Sequence, residues 1–156
     1  MKIKVKKLHE NAAIPKYATS GSAGMDLTAV SRTVDKYGNL VYGIGLAFEI
    51  PKGYVGLIFP RSSVSRYLLS MKNCVGVIDS DYRGEVTVKF GLFTHQFIEK
   101  SNGRIEADKL CGGDIYDVGD RVAQIVIIPI PEIEYEETEE LSETDRGSGG
   151  YGSTGR

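Results

Sequence analysis

The chain is poor in the residues that build disulfide frameworks and metal sites. Its 156 residues include two cysteines, Cys74 and Cys111, and two histidines, His9 and His95. Two cysteines make no disulfide framework, so a reducing compartment is the default expectation. Neither histidine has a cysteine, a histidine or an acid at ligand spacing, so a zinc site held by the protein is not expected.

Long apolar runs are also missing. No stretch approaches the length of a membrane span, so no membrane partner is expected. The first residues alternate lysine with Ile3 and Val5, which is typical of an edge strand and unlike the apolar block of a signal peptide. The expected location is therefore the cytoplasm, or the host cytoplasm if a phage encodes the protein.

Two common nucleotide-binding motifs are absent or out of context. No Gly-Lys-Ser/Thr occurs, which excludes a Walker-type phosphate loop. Gly147, Gly149 and Gly152 match the spacing of the dinucleotide fingerprint, but no strand pattern precedes them and no helix pattern follows. The chain also has no βαβ alternation and no internal repeat.

Charge is distributed unevenly along the chain. The formal net charge is −2, yet residues 132–145 hold eight acids and no base, so the remainder is mildly cationic. Such a body suits an anionic small molecule, and its bias is too weak to predict nucleic-acid binding. The acidic segment by itself is typical of a solvated linker.

Short apolar runs, several with a period of two, dominate the rest of the chain and indicate strands. They cover residues 3–5, 45–50, 54–59, 85–90 and 122–130. Glycine and proline punctuate these runs. The pattern predicts an all-β barrel or sandwich, with one short helix near residues 63–70.

The same pattern predicts one domain and a tail. Residues 1–131 are expected to form a single β-barrel domain, in which residues 91–118 are a hairpin insertion between two core strands. Residues 132–156 are expected to be an acidic linker followed by a glycine-rich arm, because they cannot pack a core of their own.

The most informative segment is residues 76–84, Gly-Val-Ile-Asp-Ser-Asp-Tyr-Arg-Gly. It places Asp79 and Tyr82 at the end of an apolar strand, where a carboxylate can act as a general base on water. Six residues earlier, Asn73 offers a carboxamide that can read a pyrimidine edge as donor and acceptor at once. A pair such as Asp79 and Asp81, on one face of a strand, is more often structural than catalytic.

Other polar residues stand in turns or among apolar residues. Arg61, Ser62 and Ser63 follow a proline at a strand end, where they can form a phosphate cradle or a capped surface turn. Gln124 is either a satisfied buried amide or a hydrogen-bond partner of the attacking water or a phosphate oxygen. Asp26, at a strand start flanked by glycine, can equally be a turn-forming residue.

The glycine-rich end combines a cation, hydroxyls and an aromatic ring. Arg146 and the hydroxyl of Ser153 can bind phosphates, Gly152 allows close approach of the backbone, and Tyr151 can stack on a base. Such a segment can close over a triphosphate and exclude bulk water. A disordered Gly/Ser tail is the alternative.

In their order and spacing, five segments together resemble the motifs of the trimeric dUTPases: residues 23–29, 60–63, 76–84, 119–124 and 146–155. The resemblance implies a homotrimer of distorted β-barrel, jelly-roll-like (β-clip) subunits with shared active sites. The C-terminal arm would reach a neighbour's site. The implied reaction is Mg²⁺-dependent hydrolysis of dUTP to dUMP and diphosphate, which limits uracil in DNA and supplies dUMP for dTMP synthesis.

The resemblance also implies catalytic roles. Asp79 would activate the water that attacks the α-phosphorus, and Gln124 would be the amide partner of the phosphate-binding motif. Mg²⁺ would be held by triphosphate oxygens and waters, with no direct protein ligand. Asp26 would help to organise this region through water.

The remaining site positions would bind substrate. The hairpin that reads uracil would comprise Asn73, Val77 and Ile78, while Tyr82 would pack on deoxyribose and leave no room for a 2′-hydroxyl. Arg61, Ser62 and Ser63 would form the phosphate-binding motif. Four further substrate-binding positions would lie on the flexible arm: Arg146, Tyr151, Gly152 and Ser153. Ser63 stands where the family usually has glycine, and Tyr151 replaces the commoner phenylalanine.

Two alternatives accompany this interpretation. The dCTP deaminases share the fold, but their catalytic glutamate lies ten residues after the aspartate that corresponds to Asp79, where this chain has Lys89. A lysine cannot shuttle protons as that carboxylate does. The second alternative is a regulatory protein partner at residues 91–118, whose aromatic residues and His95 motivate it without excluding the enzyme.

Overall fold

The computed structural model describes residues 1–92 and 115–150, together with the backbone of residues 97–99 and 105–107. Within these ranges it contains twelve strands and one 3₁₀ helix. The strands are β1 (Lys4–Lys7), β2 (Met25–Thr28), β3 (Ser31–Val34), β4 (Leu40–Gly43), β5 (Leu46–Glu49), β6 (Tyr54–Pro60), β7 (Leu69–Met71), β8 (Gly76–Ile78), β9 (Thr87–Leu92), β10 (Phe97–Glu99), β11 (Ile105–Ala107) and β12 (Arg121–Pro129). The 3₁₀ helix, Ser62–Arg66, lies between β6 and β7.

Two four-stranded antiparallel sheets form the body. Their strand orders are β2-β12-β6-β8 and β3-β4-β9-β7, while β1 pairs with β5 and β10 with β11. Side chains from both sheets meet in one apolar core that includes Leu27, Ile58 and Ile125 from the first sheet and Leu40 and Phe90 from the second. The all-β, jelly-roll-like class predicted from the sequence is confirmed.

Strand β12 organises the first sheet because it pairs on both edges. Val122, Ala123 and Ile125 are buried, and the cross-strand register sets Gln124 opposite Asp26 of β2 and Phe59 of β6. Backbone hydrogen bonds hold such a strand to a neighbour on each edge, and burial of its apolar side chains adds to its stability. Its register therefore fixes where the polar residues of three strands meet.

Tyr42, Phe90 and Tyr116 form an aromatic cluster in the core. Tyr42 packs edge-on against the other two rings, with centroid distances of 5.9 Å to Phe90 and 6.2 Å to Tyr116. The Tyr42 hydroxyl donates a hydrogen bond of 2.7 Å to the carbonyl oxygen of Tyr116. Burial raises the pKa of Tyr42 well above its ordinary value. This cluster ties the segment just before β12 to the second sheet.

The predicted helix near residues 63–70 is shorter than expected. Only Ser62–Arg66 is helical, as a 3₁₀ turn, and the chain then extends into β7. β7 extends because it pairs with β9 and buries Leu69 and Met71 in the core. Tertiary pairing here overrides the local preference.

The segment between β9 and β12 is described only in part. Its strands β10 and β11 pair in antiparallel orientation, Phe97 with Ala107 and Glu99 with Ile105. Phe93, His95 and Cys111 lie outside the described residues, and so does most of the surface on which a regulatory partner was predicted.

Among the described residues, no helix is both long enough and apolar enough to cross a membrane.

Candidate active site

A cavity of about 200 Å³ opens where β8 ends, and we call it the Asp79 cavity. Its lining brings together the residues predicted to read the base and sugar with the predicted catalytic acid: Asn73, Val77, Ile78, Asp79 and Tyr82, joined by Glu85, Val86 and Thr87. Asp79 follows the last residue of β8 directly, and its side chain is exposed. A free carboxylate at a cavity wall can accept a proton from water.

A tight turn fixes the far wall of the Asp79 cavity. The backbone N–H of Tyr82 donates to the Asp79 carbonyl at 3.2 Å, and the Tyr82 hydroxyl donates to the Glu85 carbonyl at 2.9 Å. The ring folds back over Gly84, where a Cβ would lie 2.5 Å from the Tyr82 hydroxyl oxygen. Glycine at position 84 therefore permits the ring orientation. Asp81, predicted to share a strand face with Asp79, lies in this turn and not in a strand.

The polar residues at the other end of the first sheet form a second group, which we call the arginine cluster: Asp26, Arg61, Ser63, Arg121 and Gln124. Arg61 Nε donates to Asp26 Oδ1 at 2.6 Å, and Arg121 Nη1 donates to Asp26 Oδ2 at 3.0 Å. Arg61 Nη1 also donates to Ser63 Oγ at 3.2 Å. Two arginines against one carboxylate leave a net positive charge, and a guanidinium has donors to spare for phosphate.

Gln124 closes the arginine cluster against β6. Its Nε2 donates to the Pro60 carbonyl at 3.1 Å, and a Cβ on Gly24 would lie only 3.0 Å from its Oε1. One N–H of the half-buried amide is thus taken up by a backbone carbonyl, and a carboxamide has a second N–H that can serve a ligand. Ser62 is exposed, and its carbonyl accepts a bond from Ser65 Oγ at 2.8 Å.

Neither predicted serine caps the helix: Arg61 is the N-cap residue and makes no side-chain capping bond. The helix spans five residues, so its dipole adds little to anion binding. Any phosphate cradle here rests on side chains, chiefly Arg61 and Arg121.

The Asp79 cavity and the arginine cluster lie at opposite ends of β6 in one chain. Ile78 pairs with Gly56 near the start of β6, whereas Arg61 follows the last residue of that strand. Five or six residues of extended chain separate the two levels, or about 20 Å. The structure thus groups the predicted site residues into two sets and does not bring the sets together.

The predicted arm leaves the body after β12. Residues 131–148 are exposed, and Arg146 Nε donates within its own turn, to the Gly149 carbonyl at 2.9 Å. The other predicted arm residues, Tyr151, Gly152 and Ser153, lie outside the described part of the chain.

Comparison with known proteins decides the family. A family model described as dUTPase matches residues 10–105 and 115–155. A deoxyuridine 5′-triphosphate nucleotidohydrolase of Nautilia profundicola is 42% identical, with all of both chains covered. The chain belongs to the dUTPase family.

Solved dUTPase structures share the fold over nearly the whole chain. The dUTPase of Staphylococcus bacteriophage 80alpha, solved with dUpNHpp, is 29% identical and superposes with a TM-score of 0.76, covering 99% of each chain. A dUTPase of the S. aureus phage phi11, described as coordinating a structural Mg(II) ion, is 27% identical with a TM-score of 0.67, covering 90% of this chain and 99% of its own.

Three residues in the structure of this dUTPase were not assigned by sequence reasoning. Arg121 shares Asp26 with Arg61, Tyr116 places its hydroxyl 3.1 Å from Ser63 Oγ, and Glu85 lines the Asp79 cavity. Arg121 lies inside the segment 119–124, three residues before Gln124. Its positive charge in that segment could have indicated a role in phosphate binding. For Tyr116 the sequence holds no such signal, because its partner is 53 residues away.

Lys89 takes no part in the Asp79 cavity of this dUTPase. Its Nζ lies 3.2 Å from Asp35 Oδ2 and so secures the turn between β3 and β4. Asp35 also accepts bonds from the backbone of Asn39 and Tyr37, and the Asn39 bond is the main reason its pKa falls to about 2. An ion pair with a turn aspartate is a structural role, which gives the deaminase alternative no support.

The described residues offer no protein-only metal site. No group of three or more histidine, cysteine or acidic side chains within these ranges is arranged to hold an ion. Asp26, the acid predicted to act through water, has one arginine on each carboxylate oxygen. These two ion pairs occupy both carboxylate oxygens of Asp26, so this side chain is poorly placed to hold a hard cation directly.

Proposed function

We propose that this chain hydrolyses dUTP to dUMP and diphosphate with Mg²⁺. The observation that carries the proposal is the Asp79 cavity, where a free carboxylate, a carboxamide and an aromatic ring line one small space. About 200 Å³ is below the range of roughly 300–1,000 Å³ typical of pockets for drug-sized ligands. It suits a pyrimidine nucleoside whose phosphates extend outside.

Base and sugar selection is proposed for the walls of this cavity. Asn73 would pair with a uracil edge together with backbone groups of Val77 and Ile78, which lie on β8 beside it. The Tyr82 ring would pack on the deoxyribose, and its hydroxyl bond to Glu85 holds it in place. A fixed ring rejects a bulkier ribose better than a mobile one does.

Asp79 would act as the general base. Its carboxylate would take a proton from a water whose oxygen attacks the α-phosphorus, and the bond from that phosphorus to the bridging oxygen would break to release diphosphate. General-base action of this kind contributes about 10²–10⁴-fold. Positioning and charge stabilisation by other groups supply the rest of the acceleration.

The phosphates would bind at the arginine cluster. Arg61 and Arg121 carry the positive charge, Ser62 and Ser63 bring hydroxyls, and Gln124 has an N–H to spare. A magnesium ion bound to the triphosphate would neutralise charge and fix one phosphate conformation. Asp26 would act mainly by orienting the two guanidinium groups, and through water on the ion.

A complete site would need more than one copy of the chain. Asp79 and Arg61 stand about 20 Å apart along β6, too far for one bound dUTP to hold its α-phosphorus beside Asp79 while Arg61 of the same chain contacts its phosphates. A symmetric assembly can set the cavity of one subunit against the cluster of its neighbour. This is the observation that supports the predicted homotrimer with shared active sites.

The arm carries features that suit a second subunit. Ile133 and Tyr135 are 65% and 92% exposed and alternate with Glu132, Glu134 and Glu136. On β1 and just before it, lysines alternate with Ile3 and Val5, which line an apolar hollow of about 290 Å³. A neighbour's arm along β1 would match apolar with apolar residues and acid with base, and would bring Arg146 and Tyr151 to a distant site.

In a cell this reaction would remove dUTP before a polymerase uses it, and so limit uracil in DNA. Its product dUMP would supply dTMP synthesis. The cytoplasm is the location that this role suits.

The first test is release of diphosphate from dUTP, dTTP, dCTP and UTP by the purified protein with Mg²⁺. We expect turnover of dUTP alone at an appreciable rate. A 5-methyl group or a 2′-hydroxyl would need extra room, and the 4-amino group of cytosine would present a donor where uracil presents an acceptor. Equal turnover of UTP would contradict the role of Tyr82, and loss of ammonia from dCTP would restore the deaminase alternative.

Truncation after Asp145 should lower kcat/KM for dUTP by about 10- to 100-fold, because it removes a guanidinium bound to phosphate and a stacking ring. Residues 132–145 remain, so the oligomer should persist. Steady-state kinetics with light scattering checks both expectations. An unchanged kcat/KM would show that the arm does not close over the substrate. A truncated protein that is monomeric would show that residues 146–156 are needed for assembly.

A further inference from the structure

A buried tyrosine stands directly behind the arginine cluster. The Tyr116 hydroxyl lies 3.1 Å from Ser63 Oγ, while its side chain is 2% exposed. Its carbonyl oxygen is held from two sides, by the Tyr42 hydroxyl at 2.7 Å and by Arg32 Nη1 at 2.8 Å. The ring packs against Tyr67 with a centroid distance of 4.3 Å. These contacts leave the phenol little freedom to turn away from Ser63.

The hydrogen-bond inventory of Ser63 decides what its hydroxyl can do. A serine hydroxyl has one proton to donate and two lone pairs that accept. Arg61 Nη1, which can only donate, occupies one lone pair at 3.2 Å. If Tyr116 donates to the second lone pair, both acceptor positions are filled. The single Ser63 proton must then point away from both partners, which leaves it for a third group such as a phosphate oxygen.

The opposite direction of the Tyr116–Ser63 hydrogen bond would make the Ser63 side chain a poor ligand for an anion. If Ser63 donated its hydroxyl proton to Tyr116, its side chain would offer only lone pairs to a phosphate oxygen, which itself accepts hydrogen bonds. Burial raises the pKa of Tyr116, so the phenol stays protonated, and the direction of its bond follows from the hydrogen-bond inventory of Ser63.

We propose that Tyr116 is a positioning residue for phosphate binding: its hydroxyl donates to Ser63 Oγ and thereby reserves the Ser63 proton for a phosphate oxygen of the substrate. This inference rests on the proposed function, in which Arg61 and Ser63 contact the triphosphate. It gives a reason for a serine at position 63, because glycine there would leave the tyrosine hydroxyl without this partner.

The test is a double-mutant cycle with Tyr116→Phe and Ser63→Ala. Tyr116→Phe keeps the ring and removes the donor, and we expect KM for dUTP to rise about three- to tenfold, the usual size of one neutral hydrogen bond. Ser63→Ala should raise KM at least as much. In the Ser63→Ala background, Tyr116→Phe should have no further effect, because its only route to the phosphate has gone.

Two controls separate positioning from stability. Deoxyuridine, which has no phosphate, should inhibit wild type and Tyr116→Phe with equal inhibition constants. Tyr42→Phe removes the bond to the Tyr116 carbonyl but keeps the Tyr116 hydroxyl, so it should lower the melting temperature and raise KM less than Tyr116→Phe does.

The outcomes distinguish this inference from the proposed function. If the wild type does not hydrolyse dUTP, the proposed function fails first. If it does, a wild-type KM in either single variant, an equal Tyr116→Phe effect in both backgrounds, or a parallel shift for deoxyuridine would each overturn the role of Tyr116. Should Tyr116→Phe fold poorly, Ser63→Ala alone still decides, since a normal KM there contradicts the proposal.

Discussion

Replacing Asp79 by asparagine should lower kcat for dUTP by about 10²–10⁴-fold, while dUTP still binds. The carboxamide has nearly the same shape as the carboxylate, but it cannot accept a proton from water. Asp79 is exposed at the wall of its cavity and follows β8, so the change leaves the core untouched. Steady-state kinetics and calorimetric titration with dUTP measure the two quantities separately.

Asp81→Asn is the matched control for this experiment. Asp81 lies two residues further along, in the same turn, and lines a different hollow with Lys2, Lys4 and Arg83. The two substitutions remove the same charge from neighbouring positions, so a general electrostatic effect would lower both rates alike. Loss confined to Asp79→Asn assigns the base, whereas a rate near the wild type in that variant refutes the assignment.

Two inactive variants should regain activity when they assemble together. Asp79→Asn disables the cavity and Arg61→Ala disables the cluster, and each alone should fall to about a tenth of wild-type activity or less. If each site takes its cavity from one subunit and its cluster from the next, every mixed trimer holds one intact site. Co-expression with two affinity tags, followed by purification on both, should therefore yield about one third of wild-type activity.

The control for this mixing experiment pairs Asp79→Asn with a second copy of Asp79→Asn that carries the other tag. It should stay inactive, because no subunit supplies an intact cavity. Activity of the mixed assembly no higher than the mean of its two parents would show that both half-sites come from one chain. The 20 Å separation along β6 would then have to close by a rearrangement within the subunit.

Local patterns were sufficient for much of the fold. The apolar runs predicted as strands at residues 54–59 and 122–130 correspond to β6 and β12, because short apolar runs bounded by glycine and proline suit a strand in a packed sheet. The hairpin of β3 and β4 was not predicted, since its first strand, Ser31–Val34, is mostly polar. The Asp35 turn and the pairing of β4 with β9 hold it instead. That pairing joins residues far apart in the chain, so local sequence does not encode it.

The candidate site divides in the same way. Asp79, Tyr82 and Asn73 could be proposed together because they stand within ten residues on one strand and its flanking turns. The alignment of Arg61 with Asp26 could be anticipated only through family resemblance, since 35 residues separate them in the chain. Arg121 and Tyr116 gained their places from the β12 register and from the aromatic cluster.

By itself, the sequence determined the all-β class, the family and the chemical groups available, because alternation, glycine placement and side-chain chemistry are properties of short segments. The tertiary structure decided which of those groups meet. Strand register set Asp26 beside Gln124 and both arginines, core packing aimed the Tyr116 hydroxyl at Ser63, and the direction of β6 put the nucleoside cavity and the arginine cluster at opposite ends. Each of these depends on pairing between residues distant in the chain, where a shift of one residue would turn every side chain to the other face of the sheet.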